Sequence, residues 1–355
     1  MACLYPGQPV RGSLCGVAAL YGLLVRLRLW GFRRGWLSSS RLPCRVISVG
    51  NLTVGGTGKT PIVILLVEWL QAKGQRVAVL SRGYKRTSAD RCLLVSDGAR
   101  ILVDPFAAGD EPFLVARRCP RAIVAVGADR TALGRWVMEQ FPVDCMILDD
   151  GFQHHALHRD VDLVLLDATD ATGLDAMFPA GRLREPLSGL ARATALLITR
   201  AENKEDVEAI RKRLLAIPLP AEDCAEVIFQ PECLVPVQAE GQRPFDWCRG
   251  RRVWLVSGIG NSDAFRRSAA SLGIDVRGET VFRDHHHYGA EDVREIRIKA
   301  QAAGADIVLT TEKDAAKLPP YLAPDDPWWA VRVRPAVVRG EERLRNLIVG
   351  ERGAG

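Results

Sequence analysis

Ile47-Ser48-Val49-Gly50-Asn51-Leu52-Thr53-Val54-Gly55-Gly56-Thr57-Gly58-Lys59-Thr60-Pro61 runs from a short apolar strand through a glycine-rich turn into the start of a helix. Glycines at 55, 56 and 58 let the backbone take positive φ and converge its N–H groups on an anion, and the helix that follows points the positive end of its dipole the same way. Lys59 is placed to reach the β- and γ-phosphates of a nucleotide, and the Thr60 hydroxyl to sit on Mg²⁺. Pro61 suits a first helical turn. The strict spacing G-x-x-x-x-G-K-[ST] asks for glycine at position 53, where this chain has Thr53. The segment Gly55-Gly56-Thr57-Gly58-Lys59-Thr60 therefore reads as a variant phosphate-binding loop (P-loop).

Around this loop the pattern of strand, turn and helix repeats. Arg45–Val49 and Val77–Leu80 are β-branched runs separated by the helical stretch Ile62–Lys73, which makes a βαβ crossover. Further strands are expected at Ile123–Val126, Cys145–Leu148, Leu163–Leu166 and Ala195–Thr199, all near-continuous apolar runs of the kind buried on both faces. The fold class predicted is α/β: a P-loop NTPase-like, doubly wound, mostly parallel sheet with nucleotide at its carboxyl edge. At Ala201–Glu226 the composition turns charged and includes Pro218 and Pro220, which marks a domain boundary. A second, smaller α/β domain follows, with strands at Val253–Val256, Ile307–Thr310 and Trp329–Val333 and a tight turn at Ser257-Gly258-Ile259-Gly260-Asn261. Gly258 and Gly260 lack the third glycine of a dinucleotide fingerprint. The expected division is 1–40 as an N-terminal helix and basic segment, 41–205 as the nucleotide-binding domain, and 206–355 as the second domain.

At 355 residues the chain is long for a single core, and its 48% apolar and 25% charged residues are ordinary for a globular α/β protein. The nine cysteines show no C-x-x-C spacing, so neither a zinc ribbon nor a disulfide framework is indicated. The net charge of +6 is unevenly spread: residues 1–67 contain no Asp or Glu, while Arg11, Arg26, Arg28, Arg33, Arg34, Arg41, Arg45 and Lys59 all fall there. Such a segment suits an anionic membrane surface or an anionic substrate. No recognition helix or aromatic-interleaved basic strand points to nucleic acid. Ser13–Val25 is an uncharged run too short to span a bilayer, and Trp30, Phe32, Trp36 and the trailing arginines favour a helix lying in the membrane interface.

Several polar residues are placed to carry chemistry. Asp149 and Asp150 stand just past an apolar strand, where a carboxylate that holds Mg²⁺ belongs. Asp110 precedes the helical run Phe113–Arg118 and on spacing alone is a ready N-cap. The six histidines form two clusters, His154, His155 and His158, then His285, His286 and His287. Metal binding by adjacent histidines is conceivable, and loop histidines on the surface are the commoner case. A single histidine paired to a carboxylate from the other domain is the sharper hypothesis.

Taken together these residues resemble the tetraacyldisaccharide 4'-kinase (lipid A 4'-kinase) family along nearly the whole chain. The motifs that carry the resemblance are Val49-Gly50-Asn51 with Gly55–Pro61, Ser81-Arg82-Gly83-Tyr84, Gly109-Asp110-Glu111-Pro112, Asp149-Asp150-Gly151-Phe152-Gln153-His154, Gly181-Arg182-Leu183-Arg184-Glu185-Pro186, Ser257–Asn261, Phe282-Arg283-Asp284-His285 and Thr311-Glu312-Lys313-Asp314-Ala315. The resemblance implies transfer of the γ-phosphoryl group of ATP, with Mg²⁺, to the 4'-hydroxyl of a tetraacylated disaccharide 1-phosphate, the lipid A precursor. It implies a peripheral or monotopic protein on the cytoplasmic face of the inner membrane.

The same resemblance makes Asp110 the catalytic carboxylate and His285 its support. Gly55, Gly56, Thr57, Gly58, Lys59 and Thr60 become the ATP loop, and Thr60, Asp149, Asp150 and Glu185 the metal site. Asn51, Arg82, Tyr84, Glu111, Arg182 and Arg184 become substrate- or phosphate-binding residues. Lys85 departs from the family pattern, in which glycine follows Ser-Arg-Gly-Tyr. The rival reading is a membrane-recruited, partition-type P-loop ATPase that acts as a switch. Its loop is similar, but its signature lysine is Val54 here, and a switch has no need of His285.

Overall fold

The structure, a computed structural model, describes residues 9–215, 217 and 224–350. Its helices and strands in chain order are α1 (Pro9–Arg33), β1 (Arg45–Asn51), α2 (Lys59–Gln71), β2 (Val77–Ser81), β3 (Leu93–Asp97), α3 (Pro105–Ala108), α4 (Asp110–Arg118), β4 (Ile123–Val126), α5 (Arg130–Gln140), β5 (Cys145–Asp149), β6 (Val161–Asp167) and β7 (Ala195–Thr199). There follow α6 (Lys204–Leu214), β8 (Cys224–Pro236), β9 (Arg252–Ser257), α7 (Ser262–Ala270), β10 (Asp275–Val281), α8 (Ala290–Ala302), β11 (Ile307–Thr311), α9 (Glu312–Ala315), β12 (Trp328–Arg339) and α10 (Glu341–Val349). Every strand expected from the sequence is present, and β3, β8 and β10 are additional. Pro218 and Pro220 lie outside the described residues.

The chain divides into two compact units, each assembled from separate stretches. One comprises Met1–Leu80, Asp129–Ile228 and Val337–Gly355, the other Ser81–Ala128 and Phe229–Ala336. No single cut near residue 205 produces this division, because the segment carrying β3, β4 and α4 is inserted directly after β2.

In the first unit the strand order is β8-β7-β6-β1-β5-β2, and all the neighbouring pairs are parallel. The central strand β1 is flanked by β5 and β6, and its residues Val46, Ile47 and Val49 are fully buried, as a near-continuous apolar run requires. The loops that leave β1 and β5 emerge at the carboxyl ends of parallel strands, where open α/β sheets bind ligands. Helix α2 buries Ile62, Val63, Ile64, Leu65, Leu66, Val67, Trp69 and Leu70 and so is apolar nearly all round. Each such side chain contributes roughly 1.5–3 kcal/mol of transfer free energy. Helix α10 packs on α2, with the Arg345 guanidinium 5.4 Å from the centre of the Trp69 ring. Arg45, the first residue of β1, donates to the carbonyls of Leu347 (2.5 Å), Ile348 (2.7 Å) and Gly350.

In the second unit the order β10-β9-β11-β12 is parallel throughout, while β3 and β4 form an antiparallel pair. Its core gathers Trp328, Tyr288, Leu318 and Val256 on one side and Leu255, Phe265, Leu309 and Val331 on another. Strand β10 is largely exposed, and its residues Asp275-Val276-Arg277-Gly278-Glu279 carry no apolar run. That is why the strand escapes a reading by hydrophobic pattern.

Helix α1 extends well beyond the uncharged run from which it is expected. The uncharged run Ser13–Val25 is too short to span a bilayer, but the helix continues through Arg26 and Arg28 to Arg33. Leu14–Arg33, 20 residues, is long and apolar enough to cross a membrane by length and composition. One face is packed: Gly22 is buried beside Met177, Tyr21 donates through its hydroxyl to the Arg184 carbonyl (2.8 Å), and its ring meets Phe178 edge-on. The opposite face leaves Leu20, Leu23, Leu24 and Leu27 each more than half exposed.

Candidate active site

Of the three glycines in the loop of the first unit, Gly56 does not take the positive φ expected of it. Gly55 and Gly58 take positive φ (121° and 82°), and Gly58 precedes the first residue of α2, Lys59. A side chain at Gly55 would also collide with Arg182, whose Nη2 lies 2.0 Å from where a Cβ would stand. Thr60 is the second residue of α2. Thr53, where the strict motif has glycine, is buried and forms an isolated antiparallel bridge with Leu183. Val54, in place of the rival family's lysine, is bracketed by Arg182. Its N–H donates to the Arg182 carbonyl (2.8 Å), and its own carbonyl accepts from Arg182 Nε (3.0 Å) and Nη2 (2.7 Å). Arg184 N–H donates to the Leu52 carbonyl (2.7 Å), so the Arg182–Arg184 segment is stitched along the loop.

Four cations border the loop. Lys59 Nζ donates to Asn51 Oδ1 (3.3 Å) and pairs with Asp150 Oδ1 (3.5 Å), while Arg184 Nη1 holds both Asp150 oxygens (2.9 and 2.8 Å). Arg182 pairs with Asp170 (2.9 Å), and Arg200 pairs with Asp167 and donates to the Gly56 carbonyl (3.0 Å). Asp150 sits in a left-handed turn (φ 54°) directly after β5, whose last residue, Asp149, is buried. Loss of water contact pushes the Asp150 carboxyl upward, but Lys59 and Arg184 outweigh it and hold the group at about 2. Glu185 is buried and engaged elsewhere: Oε1 accepts from Gln153 Nε2 (2.9 Å) and Oε2 pairs with Arg192 (2.9 Å). Gln153 Nε2 also donates to the Asn51 carbonyl (3.0 Å).

The second unit contains the other cluster, and it holds both Asp110 and His285, which the sequence pattern assigns to different domains. Asp110 is not a helix cap, contrary to the reading from spacing: Gly109 is the N-cap of α4 and Asp110 its first residue. The buried Asp110 carboxylate meets His285 Nδ1 at 3.0 and 3.1 Å, although the two residues are 175 apart in sequence. Lys317 Nζ lies 3.4 Å and Lys313 Nζ 4.0 Å from Asp110 Oδ2. Burial pushes the Asp110 carboxyl up, yet the hydrogen bond from His285 and the charges of Lys313 and Lys317 prevail and hold it well below the usual carboxylate range. Burial likewise works against the charge on Lys313, but Glu111 (3.1 Å), Asp284 (3.3 Å) and Asp110 raise it well above an ordinary lysine.

Of the three adjacent histidines only His285 faces Asp110. His286 bonds Asp292 (3.0 Å) and stacks on Phe282, and His287 stacks on Phe106. Exposed Tyr84 stands edge-on to His285, with ring centres 5.0 Å apart. Arg82 is exposed. Lys85 occupies a left-handed conformation (φ 58°), which explains why glycine suits that position. His154 and His155 are pushed down to about 4 and about 3 by burial and neighbouring arginines, so both rings are neutral at physiological pH. Among the described residues no group of three or more His, Cys, Asp or Glu is gathered to hold a metal ion.

Gly109, with φ 91° and ψ 146°, sits where side chains are not tolerated, and a Cβ there would meet the Tyr84 carbonyl at 3.1 Å. Gly109→Ala is expected to destabilise by about 1–3 kcal/mol and to lower kcat, because Asp110 follows directly. Thermal melts and turnover on one preparation check both effects.

The sequence profile of the tetraacyldisaccharide-1-P 4'-kinase family matches residues 11–351. The chain belongs to this kinase family. A tetraacyldisaccharide 4'-kinase of Anaeromyxobacter sp. (strain Fw109-5) is 42% identical over 310 residues, covering 87% of this chain and 83% of that one. A second kinase of the same name, from Geobacter metallireducens, is 41% identical over 315 residues, covering 88% and 90%. The crystal structure of Aquifex aeolicus LpxK in complex with ATP superposes with a TM-score of 0.77 at 35% identity, covering 96% of this chain and 98% of that one. These likenesses favour the kinase over the partition-type switch. Lys317, Arg192 and Arg200 join these clusters without having been singled out from the sequence. The signal for Lys313 was its place in the Thr311–Ala315 motif.

Proposed function

We propose that the protein transfers the γ-phosphoryl group of ATP to the 4'-hydroxyl of tetraacyldisaccharide 1-phosphate. The observation that supports this chemistry best is the buried pair Asp110–His285, an ionised carboxylate oriented by an imidazole, for which a conformational switch has no use. Phosphoryl transfer depends on positioning and charge neutralisation. Loop residues 55–60 cradle the phosphates, Lys59, Arg182 and Arg184 spread the charge on the γ-phosphate, and Asp110 takes the proton of the sugar hydroxyl.

The donors at the end of β5 suit Mg²⁺: Asp149, Asp150 and the Thr60 hydroxyl are hard oxygens, and the Asp150 carboxyl is ionised far below neutral pH. Mg²⁺ takes one or two carboxylates and keeps the rest of its shell for water and phosphate, so a pre-gathered cage is not needed. When bound, the ion supplies neutralisation of phosphate charge. Glu185 would have to leave Gln153 and Arg192 to reach it. Arg82, Tyr84, Glu111 and Asn51 complete the phosphate and substrate contacts. Transfer of labelled phosphate from ATP to the lipid A precursor by purified protein tests the reading, and hydrolysis of ATP with no labelled lipid would refute it.

Membrane association at the cytoplasmic face of the inner membrane is part of the same proposal. The exposed leucines of α1, the ring pair Trp30–Trp36 (4.5 Å) and the acid-free N-terminal segment support it. The double variant Leu20→Asp/Leu27→Asp changes only exposed positions, so it is expected to shift the protein from the membrane pellet to the supernatant without lowering its melting temperature. A variant that still sediments wholly with membranes would place the anchor elsewhere.

A further inference from the structure

We propose that Lys313 fixes the tautomer of His285, holding the ring proton on Nδ1 so that the imidazole donates to Asp110 and leaves Asp110 the sole proton acceptor of the pair. The proposal deepens the kinase reading and rests on it for the identity of the proton that Asp110 takes.

The argument is one of donors and acceptors. Lys313 Nζ lies 3.2 Å from His285 Nε2. An ammonium has three N–H donors and no lone pair, so Nε2 must be the acceptor in this contact. A ring whose Nε2 carries the lone pair and whose other nitrogen faces a carboxylate at 3.0 and 3.1 Å is neutral, with its hydrogen on Nδ1. The opposite tautomer would set an N–H against an ammonium and a lone pair against a carboxylate. An imidazolium would set two cations 3.2 Å apart at Nε2, where the carboxylates of Glu111 (3.9 Å) and Asp284 (3.8 Å) lie beyond hydrogen-bond reach of the ring.

Neither partner is free to turn away. Lys313 is held by Glu111 (3.1 Å) and Asp284 (3.3 Å) and is charged over the whole physiological range. His285 is held in a left-handed turn (φ 59°) by its N–H bond to the Gly258 carbonyl (3.1 Å). Lys317, 3.4 Å from Asp110 Oδ2 and donating to the His286 carbonyl (3.0 Å), adds a second donor on the carboxylate.

The chemical step balances with His285 as a spectator in proton count. The O–H bond of the sugar breaks, its proton goes to Asp110, the oxygen pair forms the bond to the γ-phosphorus, and the bond to the β–γ bridging oxygen breaks with its pair leaving on ADP. His285 keeps one proton throughout, and Lys313 acts as a positioning residue through its 3.2 Å contact with Nε2, standing farther off, at 4.0 Å, from Asp110 Oδ2.

The test uses full-length protein labelled with ¹⁵N-histidine and read by long-range ¹H–¹⁵N correlation at neutral pH, the His285 signals being assigned by their loss in His285→Gln. The wild type is expected to show the neutral Nδ1–H pattern; an Nε2–H or imidazolium pattern overturns the proposal. Lys313→Arg, also a pure donor, should keep the pattern. Lys313→Met should lose it, and should lower kcat about tenfold or more, part of the ~10²–10⁴-fold typical of general-base catalysis, with KM for ATP nearly unchanged. Retention of the Nδ1–H pattern in a folded Met variant overturns the role of Lys313. If the Met variant does not fold, the wild-type and Arg spectra decide. The tautomer is read without turnover, so a wild type that fails to phosphorylate the lipid would sink the kinase reading and leave this measurement standing.

Discussion

Asp110→Asn is expected to lower kcat by about 10²- to 10⁴-fold, the usual worth of a general base, and to leave ATP affinity nearly unchanged. Asparagine matches the shape of aspartate and caps helices as well, but it cannot take a proton at neutral pH. Since Gly109 and not Asp110 caps α4, a loss of turnover cannot be traced to a lost cap. His285→Ala should fall in the same range, and the double alanine variant should lose little more than the worse single one, because residues that act as a unit are not additive. A folded, fully active Asn variant would defeat the assignment. The melts carry a second signature. The folded-state carboxyl lies below its unfolded value of 3.8, so its ionisation stabilises the fold above that value and ceases to as pH falls through the folded one. The stability gap between wild type and Asn variant is therefore expected to be full at neutral pH and to shrink below about pH 4.

Lys59→Ala is expected to reduce turnover by at least about 10²- to 10³-fold, the cost of removing one pre-organised donor from a site of developing charge. Lys59 stands at the first position of α2, where it is engaged by Asp150 and Asn51. Removing it leaves Asp150 with Arg184, so the fold is expected to survive and the loss to be catalytic. Near wild-type kcat in this variant would sink the phosphate-loop assignment.

The strands buried on both faces were legible because their chemistry is uniform: Ile123–Val126 and Ala195–Thr199 end where their apolar runs end. β8 was not, since Glu226, Pro231 and Glu232 interrupt it and its burial alternates irregularly. β10 pairs with β9 through its backbone while exposing charged side chains, which no hydrophobic period reveals. The glycine loop and the acids after β5 were read from local spacing, the form in which backbone geometry is written. The lysines around Asp110 are different. Lys313 and Lys317 look like ordinary charges on a short helix and the turn after it, and only packing takes Lys317 to 4% exposure beside Asp110 and the buried Asp314. Whether a charge is solvated or enclosed depends on elements distant in sequence, and residue order does not record it.

The contact of Arg45 with the carbonyls of Leu347, Ile348 and Gly350 bears on how the chain is made. The strand that leads into the glycine loop leaves the ribosome about 300 residues before the helix that closes over α2 and accepts these hydrogen bonds. At about 5–20 residues per second, the nascent first unit waits roughly fifteen to sixty seconds for α10. Throughout that interval the apolar face of α2 destined for α10 stays uncovered. A premature stop before Glu341 would make that exposure permanent, which predicts aggregation of the truncated polypeptide rather than a shortened but working enzyme.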